Sequence, residues 1–104
     1  MAWKIKYLDS VESWLGSLNK PQLKSIAKEL RLVELCGNEL KLPHSKSLGG
    51  GLFELRERRF GLRIYYCFDQ EQVVLLLHAG DKSSQKNDIK MAKNLLAKVR
   101  GESI

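Results

Sequence analysis

Cysteine, histidine and proline are scarce in this 104-residue sequence, each occurring only twice. Cys36 and Cys67 lie far apart without a Cys-x-x-Cys spacing, so no zinc site can be assembled from the usual ligand patterns. They read as reduced, partly buried thiols. No metal site and no small-molecule cofactor are expected. The longest apolar run, Val73–Leu77, is far too short to cross a bilayer, and Met1-Ala2-Trp3-Lys4 leads into alternation rather than an apolar leader. No membrane association is expected, and the cytoplasm is the default location. The rarity of proline, with 43% hydrophobic residues, also argues against disorder.

Basic charge, by contrast, is plentiful. Eighteen lysines and arginines face twelve acidic residues, a net charge of +6 that points to nucleic acid or an acidic protein partner. The excess is concentrated in two segments. Residues 41–63 carry Lys41, Lys46, Arg56, Arg58, Arg59 and Arg63 against Glu54 and Glu57. Residues 80–100 carry Lys82, Lys86, Lys90, Lys93, Lys98 and Arg100 against Asp81 and Asp88. The length suits one domain over residues 1–104, able to bury roughly two-thirds of its unfolded surface.

Hydrophobic periodicity predicts the order βααβββα. Residues 2–8 alternate as a short strand, and Asp9 or Ser10 is placed to cap a helix carrying Val11, Trp14, Leu15 and Leu18. Pro21 suits the first turn of a second helix, whose stripe is Leu23, Ile26, Ala27, Leu30 and Val33, with Gly37 as its stop. Residues 38–51, containing Pro43 and Gly49–Gly51, read as a basic, mobile loop. Three strands follow near 52–58, 62–68 and 72–79, and a last helix from about Ser84 carries Ile89, Ala92, Leu95, Leu96 and Val99 on one face. The expectation is an α+β fold: an antiparallel β-meander with the N-terminal helix pair packed on one face. Val73–Ala79, apolar on both faces, reads as an interior strand.

The hairpin between Leu52 and Arg63 holds four arginines. Period two puts Glu54, Arg56 and Arg58 on one face and Phe53 and Leu55 on the other. Two-residue turns at Phe60-Gly61 and Gln70-Glu71 would align Arg58, Arg63 and His78 in one row, with Arg56 opposite Tyr65. The other face would carry Phe53, Leu55, Ile64, Tyr66, Phe68, Val73, Leu75 and Leu77 as a floor for the helices. Directly opposed like charges cost a few tenths of a kcal/mol or more, so the arginine face is best explained by an anion that the sequence itself does not supply.

The runs LGGGLFELR, GLRIYYCF and VVLLLHAGDKSSQKNDIKMAK together resemble the HigB-type toxins of the RelE/ParE superfamily, also called addiction module killer proteins. The resemblance covers about residues 42–98. It implies a compact RelE-like fold and a growth-inhibiting role in a type II toxin–antitoxin module. It also implies a cognate antitoxin, usually of helix-turn-helix type. Many such toxins cleave mRNA on the ribosome without a metal, whereas the ParE branch poisons DNA gyrase, so fold alone does not name the target.

The residues suit metal-free RNA cleavage, in which the ribose 2′-hydroxyl attacks the adjacent phosphate and negative charge builds on the phosphoryl oxygens. Fixed cations stabilise that charge, and arginine forks match phosphate geometry. Arg56 and Arg63 match the arginines of the family's ELR and R-x-Y segments and are the expected phosphate ligands; alternatively they belong to a solvated face in which Glu54 pairs with one of them. Lys82 is expected near the arginine row, as a charge stabiliser or proton carrier. His78 is a candidate acid or base, or else a packed, hydrogen-bonded strand-end histidine; His44, in the basic loop, is a weaker candidate. Tyr65 is placed to stack on a base, and Lys46, Arg58, Arg59 and Lys86 to grip RNA phosphates or an acidic antitoxin. A ribosome-dependent mRNA endonuclease is the leading reading. A non-catalytic gyrase inhibitor and a bare RNA-binding module are the alternatives.

Overall fold

The computed structural model describes residues 2–101. Alternating Lys4, Ile5 and Lys6 begin strand β1 (Lys4–Tyr7). Helix α1 (Asp9–Gly16) follows, but its cap position is Leu8, which makes no side-chain cap bond. Asp9 lies inside the first turn instead, where its charge complements the helix dipole. Helix α2 (Lys20–Cys36) opens on a reciprocal capping box. Asn19 Oδ1 accepts from the Gln22 amide at 2.9 Å and Gln22 Oε1 from the Asn19 amide at 3.0 Å. Pro21 occupies the first turn as expected. The buried stripe of α2 is narrower than the sequence suggests: Ile26 and Val33 are buried, whereas Leu23 is 39% exposed and Ala27 faces outward.

Gly37 ends α2 for two reasons. Its φ of +53° is left-handed, and a Cβ there would lie 2.0 Å from the Trp3 indole.

The segment expected as a mobile loop is instead largely built. A 3₁₀ turn spans Gly37–Glu39, and Ser45–Gly49 forms strand β2, antiparallel to β3 (Leu52–Glu57). Buried Ser45 hydrogen-bonds Tyr66 across the sheet at 2.5 Å. A short strand rich in Ser, Lys and Gly is what an edge position favours, and that composition is why it reads as loop.

Strands β4 (Leu62–Phe68) and β5 (Val73–Asp81) complete a five-stranded sheet in the order β1-β5-β4-β3-β2. The meander β2 to β5 is antiparallel, as expected, but β1 joins β5 in parallel and makes the sheet mixed. The interior position of β5 matches its two apolar faces. After a 3₁₀ turn at Lys82–Ser84, helix α3 (Gln85–Val99) lies across the opposite face from α1 and α2.

Each face of the sheet therefore has its own core. Val11, Ile26 and Val33 of the helix pair pack on Leu55, Ile64, Tyr66, Val74, Leu76 and Ala79. Ala92 and Leu96 of α3 pack on Leu52, Tyr65, Cys67 and Leu77. Burying each large aliphatic side chain contributes roughly 1.5–3 kcal/mol. The parity expected for β5 is overturned, because Val74 and Leu76, rather than Leu75 and Leu77, face the helix pair. The β4–β5 turn is the cause: Phe68 pairs with Val74 and the Asp69 amide donates to the Val73 carbonyl at 3.0 Å, so the loop holds three residues instead of two. A bulge at Leu77, between the pairs Tyr65↔His78 and Tyr66↔Leu76, then returns Ala79 to the helix-pair face. Among the described residues no helix is long and apolar enough to cross a membrane.

Candidate active site

The hairpin β3–β4 sets the site, and its turn differs from the two-residue turn expected. Glu57 pairs with Leu62, leaving Arg58-Arg59-Phe60-Gly61 as a four-residue turn. The cause is the Glu57 carboxylate, which is only 2% exposed. It accepts the amides of Arg59 at 3.0 Å, Phe60 at 2.9 Å and Leu62 at 3.3 Å. Ser25 of α2 donates its hydroxyl to the same carboxylate at 2.5 Å. Burial alone would raise the pKa of Glu57, but the Ser25 hydroxyl and the amides outweigh it and hold the carboxyl below its usual range.

This turn shifts the β3–β4 register: Arg56, not Arg58, lies opposite Arg63, and Glu54, not Arg56, lies opposite Tyr65. Across β4–β5, where the turn and a bulge differ from expectation, Tyr65, not Arg63, lies opposite His78. Arg58 leaves the sheet altogether and is exposed in the turn beside Arg59. The row of Arg58, Arg63 and His78 does not exist.

Two arginines directly opposed would repel, and Glu54 explains why they do not. Its side chain is fully buried and accepts from Arg56 Nε and from one terminal nitrogen of Arg63, each at 2.9 Å on the same oxygen. Gln85, at the start of α3, donates to the other oxygen at 2.7 Å. Burial works to raise the Glu54 pKa, but the Gln85 and Arg56 hydrogen bonds and the two guanidinium charges more than offset it, and the carboxyl is held below the usual range. The sequence reading left Glu54 paired with one arginine at most. The structure pairs it with both, leaving one positive charge over for an external anion.

Arg56 and Arg63 both line a groove of about 340 Å³, together with Leu42, Pro43, Glu57, Arg58, Gly61 and Lys82, although Arg63 Nε itself is buried without a partner among the described residues. Lys82 reaches it because β5 ends there: its amide donates to the Gly61 carbonyl at 2.9 Å, and its side chain packs over Gly61. Four cations therefore converge on one concave surface, and its single carboxylate is already engaged by the turn. Such a surface can neutralise a phosphoryl group from several sides.

The other expected residues lie elsewhere. Tyr65 is fully buried, ring to ring with His78 at 6.5 Å and packed in the α3-side core. It is not available to stack on a base, because α3 covers the face that the hairpin alone leaves open. Burial and the Glu54 carboxylate push its phenol far above the ordinary value. His78 does not line the groove. Its Nε2 is 2.8 Å from Asp88 Oδ1 of α3, whose other carboxylate oxygen accepts from Ser84 at 2.5 Å. The Asp88 carboxylate lies so close to Gly80 that a Cβ there would fall 1.9 Å from Oδ2. His44 is likewise tied down, 2.8 Å from Glu29 of α2. Lys46 is exposed on the edge strand β2 and Lys86 in the first turn of α3, both outside the groove. Arg59 points to a different groove, against α2.

Sequence reasoning missed Glu54 as the bridge and Gln85 as its anchor. The first had a signal, since Glu54 and Arg56 share a face by period two. The second had none, because it depends on where α3 docks.

Structures with the same fold are those of the RelE toxins. The isolated Escherichia coli RelE toxin superposes with a TM-score of 0.65 at 17% identity, covering 86% of this chain and 97% of that one. The Mycobacterium tuberculosis toxin–antitoxin complex RelBE2 gives 0.61 at 18% identity, over 79% and 100%. The Pyrococcus horikoshii RelE–RelB complex gives 0.56 at 19% identity, over 79% and 97%. At these identities the likeness establishes the α+β fold and nothing further. In sequence, an uncharacterized protein of Haemophilus influenzae (strain Rd) is 37% identical over 103 residues, covering 97% of this chain and 99% of its own. The profile of the family "Phage derived protein Gp49-like (DUF891)" matches residues 13–99. With most of its length inside that match, the chain belongs to the Gp49-like family of phage-derived proteins.

Proposed function

We propose that this protein is the toxin of a type II toxin–antitoxin module, of HigB type, that cleaves mRNA at the ribosome without a metal and is neutralised by a cognate helix-turn-helix antitoxin. The observation that carries the reading is the Arg56–Arg63 pair, held by buried Glu54 and opening into a groove shared with Arg58 and Lys82. Membership of the Gp49-like family and the shared fold with RelE toxins support it.

In the proposed reaction the 2′-hydroxyl gives its proton to water as its oxygen attacks the adjacent phosphorus, and the bond to the 5′-oxygen breaks, leaving a cyclic phosphate and a free 5′-hydroxyl. The donor of the leaving group's proton is reprotonated from solvent. Arg56 and Arg63 bind the phosphoryl oxygens and stabilise their growing charge. Both guanidinia are fixed before substrate arrives, so little reorganisation is required. Lys82 is assigned the proton for the leaving oxygen, because it lines the groove and His78 does not. Arg58 steers the flanking backbone at the groove's rim, while Lys46, Arg59 and Lys86 meet ribosomal RNA or the antitoxin outside it.

The test is brief induction in a bacterial host with primer-extension mapping of transcripts. Codon-linked cuts that vanish in Arg56→Ala and Arg63→Ala, with purified variants still folded, are the expected result. Intact transcripts during growth arrest would reject cleavage and, with a DNA-damage response, would point to a gyrase inhibitor.

A further inference from the structure

A second basic groove, of about 480 Å³, lies on the other side of the same hairpin turn and is lined by Lys20, Pro21, Lys24, Ser25, Lys28 and Arg59. We propose that it binds the sugar–phosphate backbone of base-paired RNA, extending the reading above from one scissile phosphate to a longer track. The inference rests on that reading only for the identity of the RNA as a natural partner.

The α2 lysines stand out less in a charge count because Glu29 and Glu34 of the same helix offset part of their sum. In the fold they are separated from those acids. Lys20, Lys24 and Lys28 recur every four residues, so they stack along one stripe of α2 over about 12 Å. Arg59 faces them from the turn, and no acidic side chain lines the groove. Among the described residues none of these four cations has a carboxylate within ion-pair distance.

Two further features favour an external anion: one cation sits against local stability, and another is held in place by contacts that do not neutralise it. The first turn of α2 contains no acidic residue and does contain Lys20, although the positive end of a helix dipole disfavours a cation and favours an anion. Arg59 is delivered to the groove by a built device, the buried Glu57 carboxylate joined to Ser25 of α2, and its guanidinium rests over the Phe60 ring at 4.9 Å from the centroid. Repelling cations held in place in this way favour a polyanion.

The lining also selects among polyanions. It has no aromatic ring on which an unpaired base could stack, so it suits a backbone whose bases are turned inward and paired. Its only non-polar member is Pro21, which gives an acidic peptide no apolar anchor. Because Arg58 belongs to the active-site groove and Arg59 to this one, adjacent turn residues join the two surfaces.

The test uses the full chain, a fluorescein-labelled RNA hairpin and anisotropy titrations over a series of salt concentrations. Replacing the exposed lysines in Lys20→Gln/Lys24→Gln/Lys28→Gln should lower the slope of log affinity against log salt by about three. The Arg56→Ala/Arg63→Ala variant should keep the α2 contribution to that slope while losing transcript cleavage, which separates the two assignments. An unchanged slope in the triple variant, whose fold is checked by circular dichroism, would overturn the inference. So would equal, lysine-dependent binding of an unstructured single strand, or lysine-dependent binding of a polyglutamate peptide with none of the hairpin. None of these results would bear on cleavage at Arg56 and Arg63.

Discussion

Glu54→Gln removes one negative charge from the centre of the arginine pair with almost no change in shape. Three donors converge on this carboxylate at 2.7–2.9 Å, two of them guanidinia, and the side chain is fully buried. Hydrogen bonds to a charged group contribute about 1.5–3 kcal/mol each, and a neutral amide oxygen still accepts some of them. Breaking a buried pair costs about 3–5 kcal/mol, but Arg56 is 27% exposed and regains water. We therefore expect E54Q to lose about 2–4 kcal/mol, read as a drop in Tm of roughly 10–25 °C for a domain of this size. The loss should depend on pH in a definite direction. The folded-state pKa of Glu54 lies below its ordinary value of 4.5, so its stabilisation is fully present above that pH. It disappears as pH falls through the lowered folded value. Urea unfolding of both proteins between pH 7 and pH 3 should show a wide, constant gap that closes only on the acidic side. A Tm within about 2 °C of the wild type at pH 7, or a gap that does not narrow at all between pH 7 and pH 3, would refute the bridge.

Three other outcomes follow from particular contacts. Gly80→Ala should destabilise by about 2 kcal/mol or more in urea unfolding, because its Cβ would drive into the Asp88 carboxylate that holds His78; Gly16→Ala, with open space around it, should not destabilise. Glu57→Ala should release the turn amides and Ser25 and cost about 2–4 kcal/mol in the same assay, with rapid amide exchange at Arg59 and Phe60. Cys67 is buried and its thiol is pushed above the ordinary value by burial and by Asp69; a thiol reagent at pH 8 should therefore modify half-exposed Cys36 first and reach Cys67 only in denaturant.

Much of the architecture is local and therefore legible along the chain. Asn19, Pro21 and Gly37 bracket α2 through contacts a few residues apart, and the alternation of Phe53, Leu55, Ile64 and Tyr66 assigns one face of the hairpin without any knowledge of its partners. Arg56 and Arg63 were legible too, as part of an excess of positive charge on one face of the hairpin. What the sequence by itself determined was thus the order of every helix and strand except the edge strand β2, the helix-pair face of β3 and β4, and the identity of the principal cations. The tertiary structure decided the rest. The hairpin register depends on a carboxylate anchored by Ser25, 32 residues earlier in the chain. The parity of β5 depends on a three-residue turn before it and on a bulge at Leu77, and the burial of Tyr65 depends on α3 closing over a face that the hairpin leaves open. Periodicity reports which side chains share a face. Which of them meet across strands, and which are covered, is settled by contacts between residues distant in sequence, whose energies no local pattern encodes.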